Sequence, residues 1–287
     1  MRDGRRTASG RRAITVRGRI PRESVTGMDR PILVTGATGR LGRAVVQELI
    51  ERDRLPRVLS RREKDSSDPS RAQWVTGDLV TGVRVADAVA DVDAIIHCAT
   101  DYRHMRHDVQ GTRRLIDTAL LGGSPHLIYV SIVGVDRIPL KMYRYKVGIE
   151  GIVQGGALPW TVQRITQFHD LVLSILRRAA RIPVMPLPSG LQFQSVDTLD
   201  AARALVDLVE NGPAGRATDV GGPLVQTIQD LALQYLAAAG RKRRIAGLPM
   251  PGKVLHAYRE GWNLTPDNTF GAITFEEFLT DAIRRAR

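Results

Sequence analysis

Ile32-Leu33-Val34-Thr35-Gly36-Ala37-Thr38-Gly39-Arg40-Leu41-Gly42 is the stretch on which the reading of this 287-residue chain turns. A short apolar run leads into three glycines at three-residue spacing. Such a run suits a strand buried on both faces of a parallel sheet. Behind it, Arg40 to Arg52 places Leu41, Val45, Val46, Leu49 and Ile50 on one side of a helix. Gly36 permits a tight turn, Gly39 lets the backbone approach a phosphate with no Cβ in the way, and Gly42 lets the helix lie close to the strand. The helix start offers unpaired N–H groups and the positive end of its dipole. A glycine pattern alone is weak, but the strand–turn–helix setting makes it specific. Gly36, Thr38, Gly39, Arg40, Leu41 and Gly42 are therefore the expected cradle for the pyrophosphate of a dinucleotide.

The alternation continues outward. Arg57–Ser60, Gln73–Val75, Ala94–His97, Leu127–Val130 and Trp160–Arg164 read as strands, and Val83–Ala90, Val109–Leu121 and Tyr143–Val153 as helices between them. The expectation is an α/β, Rossmann-type doubly wound parallel sheet over residues 29–182. After Arg181 the prolines 183, 186 and 188 and Gly190 break the rhythm. Helices are expected again at 198–209, 227–239, 252–260 and 275–283, forming a smaller, mostly helical C-terminal substrate lobe over 183–287. The helix at 198–210 is expected to pack back on the sheet, with Asp197 or Thr198 as its cap.

The end of the second strand separates two dinucleotides. An acidic residue about 20 positions past the glycines would take a ribose 2′-hydroxyl. Here Ser60-Arg61-Arg62 stands instead, and the planar guanidinium fork matches a 2′-phosphate. NADP(H) is favoured over NAD(H), with Arg40 as a second contact.

Composition narrows the rest. An apolar fraction of 43% excludes wholesale disorder, and no run approaches the roughly 18 residues of a membrane span. The lone cysteine, Cys98, rules out a disulfide framework and points to a reducing, cytoplasmic compartment. Half of the net charge of +12 falls in residues 1–28, where eight arginines face only Asp3 and Glu23. That segment reads as a disordered basic tail, with a transit peptide or polyanion-binding arm as the alternative. No nucleic-acid recognition motif accompanies the charge, so a small-molecule substrate is expected rather than a nucleic-acid partner. A homodimer is compatible with the sequence. His104 and His107 beside Asp101 and Asp108 read as a solvated loop bordering the cleft, with no metal expected. His169 is either a substrate contact or a packing residue.

Further segments carry a family resemblance: Gly77-Asp78-Leu79, Cys98-Ala99-Thr100, Asp108-Val109-Gln110-Gly111-Thr112, Val130-Ser131-Ile132-Val133-Gly134-Val135, Arg164-Ile165-Thr166-Gln167-Phe168-His169 and Leu264-Thr265-Pro266-Asp267. In this order they resemble the atypical short-chain dehydrogenase/reductases, in the NmrA-like NAD(P)-binding branch, from about Met28 to about Ala282. The resemblance implies that Asp78 and Leu79 sit against the adenine, with Asp78 accepting from its amine. It implies that Cys98, Ala99 and Thr100 line the nicotinamide-side ribose. It further implies that Ser131 polarises a substrate carbonyl and Lys146 holds the ribose hydroxyls. Active members carry a tyrosine four residues before the lysine, on the same helical face. Here that position holds Met142, which has no proton to give. Three alternatives stay open. Tyr143 acts from a shifted place, reduction relies on Ser131 or water, or the protein is a non-catalytic NADP(H) sensor.

Overall fold

The computed structural model describes residues 30–65 and 70–284, so the basic segment 1–28 lies outside the described residues. The first half runs β1 (Ile32–Thr35), α1 (Arg40–Glu51), β2 (Pro56–Ser60), β3 (Gln73–Thr76), α2 (Val85–Val89), β4 (Ala94–His97), α3 (Met105–Leu121), β5 (His126–Ile132), α4 (Lys141–Gln154) and β6 (Trp160–Ile165). The second half runs α5 (His169–Ala179), β7 (Val184–Pro188), β8 (Gln192–Phe193), α6 (Thr198–Asn211), β9 (Gly215–Arg216), β10 (Gln226–Thr227), α7 (Ile228–Ala238), β11 (Arg244–Leu248), α8 (Lys253–Arg259) and α9 (Phe275–Arg284).

Seven strands form one parallel sheet in the order β3-β2-β1-β4-β5-β6-β9. The fold is Rossmann-type, with helices on both faces. Alternation along each strand divides the core between those faces. Ile32 and Val34 of β1 face a layer completed by Val45 and Leu49 of α1 and by Ala201, Ala202, Leu205 and Val206 of α6. Leu33 faces the other layer, with Val85 of α2, Leu115 and Ile116 of α3, and Ile149 and Val153 of α4. Asp197 caps α6 by accepting a hydrogen bond from the Leu199 N–H at 2.8 Å. Arg52 at the end of α1 donates to Glu48 at 2.7 Å and to Asp207 of α6 at 2.7 Å, tying the two helices side by side.

The strand order reverses between β1 and β4, and a crevice opens there beyond the carboxyl ends of the strands, where doubly wound sheets bind ligands. The C-terminal region shares a core with α5, which lies before the expected boundary at 182: Val172 and Leu176 pack with Phe193, Leu231 and Phe275. It is less purely helical than its sequence reads, since β8–β10 and β7–β11 form two-stranded sheets. Besides those four strands, α5 and the two-residue β9 at the sheet edge have no counterpart in the sequence reading. Among the described residues no helix is long and apolar enough to cross a membrane.

Candidate active site

The crevice is a cavity of about 910 Å³, and every residue expected to bind the dinucleotide or to act on substrate lines it. At its phosphate end Gly36 has φ 70°, and a Cβ there would lie 2.6 Å from the Ala99 nitrogen. Only glycine suits that turn. A Cβ on Gly42 would lie 2.3 Å from the Gly36 carbonyl oxygen, so its bare backbone lets the helix meet the turn itself rather than the strand. Gly39 is different. Its φ of −77° is ordinary, and its added Cβ would meet only the Gly36 oxygen, at 3.1 Å. Beyond that lies open room. Gly39 is the N-cap of α1, with no side-chain cap and no acidic residue in the first turn. The N–H groups of this helix start border the cavity with no side chain of the protein to cap them, which fits a pyrophosphate.

Beyond β2, the buried Ser60 hydroxyl accepts from the Arg62 N–H at 3.0 Å, and the Trp74 indole N–H donates to the Arg62 carbonyl at 2.8 Å. These two bonds fix the loop that presents the exposed Arg61 at the cavity. The Arg40 guanidinium forms an ion pair with Asp170 in the first turn of α5. Asp78 spends one carboxylate oxygen on the Val80 N–H, at 2.7 Å, and Leu79 packs against Gly111 of α3.

Under the other end runs a buried polar thread. His97, at the end of β4, shares hydrogen bonds with Thr35 Oγ1 at 2.6 Å and Thr112 Oγ1 at 2.9 Å. Burial, with the nearby Lys146 charge, pushes its pKa down to about 3, so the ring is neutral. Burial pushes the Cys98 thiol up to about 12, which leaves it inert. The buried Lys146 ammonium donates to Thr100 Oγ1 (3.4 Å), Tyr129 Oη (3.3 Å) and the Val130 carbonyl (3.2 Å). Burial lowers its pKa to about 8, against the opposing pull of Asp108 and Glu150. Ser131, 2% exposed, has a hydroxyl with no partner. Ser131 lines the cavity, and a buried hydroxyl left without a partner there is a group that a ligand acceptor would satisfy.

Met142 and Tyr143 both line the cavity. The Tyr143 phenol, 4% exposed, is engaged by Tyr258 of α8 and by the Gln167 amide, and burial raises its pKa above the usual phenol range. Its surroundings are Val135, Ile138 and Ala257. The Lys146 hydrogen bonds go to other groups, so Tyr143 lacks the activating ammonium contact that the resemblance attaches to the usual tyrosine.

Residues 36–211 match the NAD(P)H-binding family. The chain is a member of that family. A (4-alkanoyl-5-oxo-2,5-dihydrofuran-3-yl)methyl phosphate reductase of Streptomyces griseus is 29% identical over 76% of this chain and 77% of its own. Photosystem II assembly factor Ycf39 of Guillardia theta is 22% identical over 86% and 82%. The divinyl chlorophyllide a 8-vinyl-reductase of Oryza sativa is 28% identical over 71% and 57%. The chain spans only 25% of the length of the uncharacterised Mycobacterium tuberculosis proteins it matches. Among solved structures, the NADPH complex of an NADPH-dependent quinone oxidoreductase from Escherichia coli superposes with a TM-score of 0.73, at 17% identity over 88% of this chain and 99% of that one. An Agrobacterium tumefaciens short-chain dehydrogenase/reductase superfamily protein with bound NAD gives 0.70, at 20% identity over 90% and 98%. These two likenesses bear on the fold of this NAD(P)H-binding protein, and one partner holds each dinucleotide.

Other placements differ from expectation or resolve an open choice. His169 is 2% exposed, hydrogen-bonds Ser195 Oγ at 2.9 Å and the Ile273 carbonyl at 3.0 Å, and packs on Phe275 and Phe278. Its role is packing. Asp101, His104 and His107 bring three ligand-type atoms within 4.8 Å of one another, a convergence that their three-residue spacing across a helix start could have signalled. Asp101 is already engaged there by the Arg103 and His104 N–H groups. Gln167 and Tyr258 line the cavity without having been expected as site residues in their own right.

Proposed function

We propose that this NAD(P)H-binding protein is an oxidoreductase that reduces a small carbonyl or quinone-like acceptor, with NADPH as donor and NADH less suited. One observation carries the reading. A single cavity joins an uncapped helix start and Arg61 to a buried lysine and an unpartnered serine hydroxyl. When bound, NADPH supplies a hydride. Arg61 offers its guanidinium to the 2′-phosphate, and the α1 amides hold the pyrophosphate. Lys146 orients the ribose hydroxyls, as the family resemblance implies. The Ser131 hydroxyl would donate to the acceptor oxygen and stabilise negative charge on it. A solvent proton completes the alcohol. Ile132, Leu140 and Met142 line this part of the cavity with apolar surface. Two relatives that are named reductases support the reading. It goes with a reducing, cytoplasmic compartment and a small-molecule substrate, with no nucleic-acid partner.

Met142 and the occupied Tyr143 phenol favour a second reading, a dinucleotide-binding regulator without turnover, and two relatives are named assembly factors. A screen of aldehydes and quinones for NADPH oxidation separates the two. Turnover that Ser131→Ala lowers by roughly 10²-fold fits the first, by analogy with loss of an oxyanion donor. Tight NADPH binding with no oxidation by any acceptor sinks the first and leaves the regulator.

A further inference from the structure

We infer that the outer face of α5, with the β7–β11 sheet beside it, docks on an anionic lipid bilayer. Residues 171–184 hold Arg177, Arg178 and Arg181 and no acid. Residues 239–250 hold Arg241, Lys242, Arg243 and Arg244 and no acid. The fold brings these two distant basic runs together. The Arg243 Nε donates to the Ala180 carbonyl at the end of α5, at 3.3 Å, and β11 pairs with β7 so that Arg244 stands opposite Val184. All of these cations are exposed, and among the described residues none of them forms an ion pair. Arg177, Arg178 and Arg181 also border a groove of about 380 Å³ with Arg40 and Asp170. Arg40 already neutralises Asp170, so the groove keeps three uncompensated positive charges, a seat for a lipid phosphate.

Charge alone would serve any polyanion, and the apolar side chains choose between them. α5 turns Val172, Leu173 and Leu176 into the core and leaves Leu171 and Ile175 exposed on the side that carries Arg178. Ile182 is exposed just beyond the helix. In the small sheet Met185 and Leu187 are buried, so the opposite face turns Val184, its register partner Arg244, and Leu248 outward. The aliphatic groups stand singly between cations rather than as one contiguous patch. That spacing suits the graded boundary of a bilayer more than the dry centre of a protein interface. There the guanidinium heads stay at the level of the phosphates, and the aliphatic side chains enter the acyl boundary beneath. A nucleic acid would instead call for aromatic side chains on which bases stack, and neither segment holds one. Leu171 and Ser174 also line the dinucleotide cavity, so docking sets the rim of that cavity against the lipid. Docking is independent of whether the protein turns over.

The test is co-sedimentation of the full chain with vesicles of equal parts phosphatidylcholine and phosphatidylglycerol, beside vesicles of phosphatidylcholine alone. Binding to the anionic vesicles is expected, with little to the neutral ones. One cation at such a surface is worth about fivefold in affinity, so Arg178→Glu together with Lys242→Glu should weaken binding by roughly 25-fold or more. Ile182→Ser together with Val184→Thr should weaken it by about fivefold, through lost apolar burial. All four positions are exposed and lie outside the dinucleotide cavity, so both double variants should keep wild-type NADPH affinity, which also reports that they fold. The basic segment 1–28 is present in every arm. Anionic binding that survives the charge reversals therefore belongs to that segment and overturns the assignment. So does a wild type that ignores anionic vesicles. Undiminished binding by the apolar double variant, with RNA homopolymer displacing the protein from vesicles, marks a general polyanion surface and overturns it too. None of these results touches the reductase reading, which stands or falls on NADPH oxidation.

Discussion

Gly39→Val separates binding from folding at the glycine turn. The native φ of −77° suits any L residue, and the new Cβ would meet only the Gly36 oxygen, at 3.1 Å. The folding penalty should stay near 1 kcal/mol or less. The side chain would, however, project into the room above the uncapped start of α1. Displacing an anion from two charge-assisted N–H bonds, each worth about 1.5–3 kcal/mol, removes about 3 kcal/mol or more, or roughly 10²-fold in affinity. Gly42→Ala is the contrast. Its Cβ would lie 2.3 Å from the Gly36 oxygen and 2.6 Å from the Ala37 Cα, both backbone atoms. Overpacking of that kind costs about 1–3 kcal/mol or more, and each kcal/mol lowers Tm by roughly 2–4 °C in a chain of this size. The assay pairs NADPH titration by nicotinamide fluorescence with thermal unfolding of both variants. Gly39→Val should lose binding with a Tm drop of no more than about 4 °C, and Gly42→Ala should lose more Tm than that. If Gly39→Val binds NADPH within about threefold of wild type, the turn is not the phosphate cradle.

Arg61→Ser should weaken NADPH binding by roughly tenfold, a charged hydrogen bond discounted for an exposed arginine, and leave NADH unchanged. Parallel titrations check it, and equal losses for both nucleotides would remove Arg61 from the 2′-phosphate. Acid should destabilise the fold through His97, whose pKa falls from 6.5 when unfolded to about 3 when folded. Between those values the unfolded chain binds one more proton, so stability drops as pH falls, by up to about 1.4 kcal/mol per pH unit. His126, lowered to about 4 by burial, acts in the same direction. Urea unfolding from pH 7 to pH 4 measures the slope, and a flat profile would contradict a neutral buried His97. Tyr143→Phe should leave any NADPH oxidation within about threefold of wild type, because its phenol is held by Tyr258 and lacks the Lys146 contact. A drop of roughly 10²-fold or more would restore Tyr143 as the proton donor.

The alternation of β1 to β6 with helices was legible because each strand is a short apolar run bounded by turn residues, and each helix carries an apolar stripe. The phosphate cradle was legible because its glycines report backbone conformation directly. β9 was not, since Gly215-Arg216 carries no strand pattern and pairs only because β6 offers an open edge. α5 was missed because its start at Phe168 has no capping side chain and its buried positions, Val172, Leu173 and Leu176, form a run too short to separate from a strand. The partners of Tyr143 and Gln167 come from residues about 100 positions away, Tyr258 and Asn263, and no local spacing encodes such meetings.

The lodging of α6 against α1 bears on how the molecule can be cut. A fragment ending after β6 would strip Ala201, Ala202, Leu205 and Val206 from the layer that covers Ile32 and Val34, and would leave Arg52 without Asp207. The nucleotide-holding half is therefore not autonomous at that boundary. The family match runs past that boundary to the end of α6, and Val220 beyond it still belongs to the same layer. α6, β9 and Val220 answer to the sheet, so the chain leaves the sheet's constraints only after Val220.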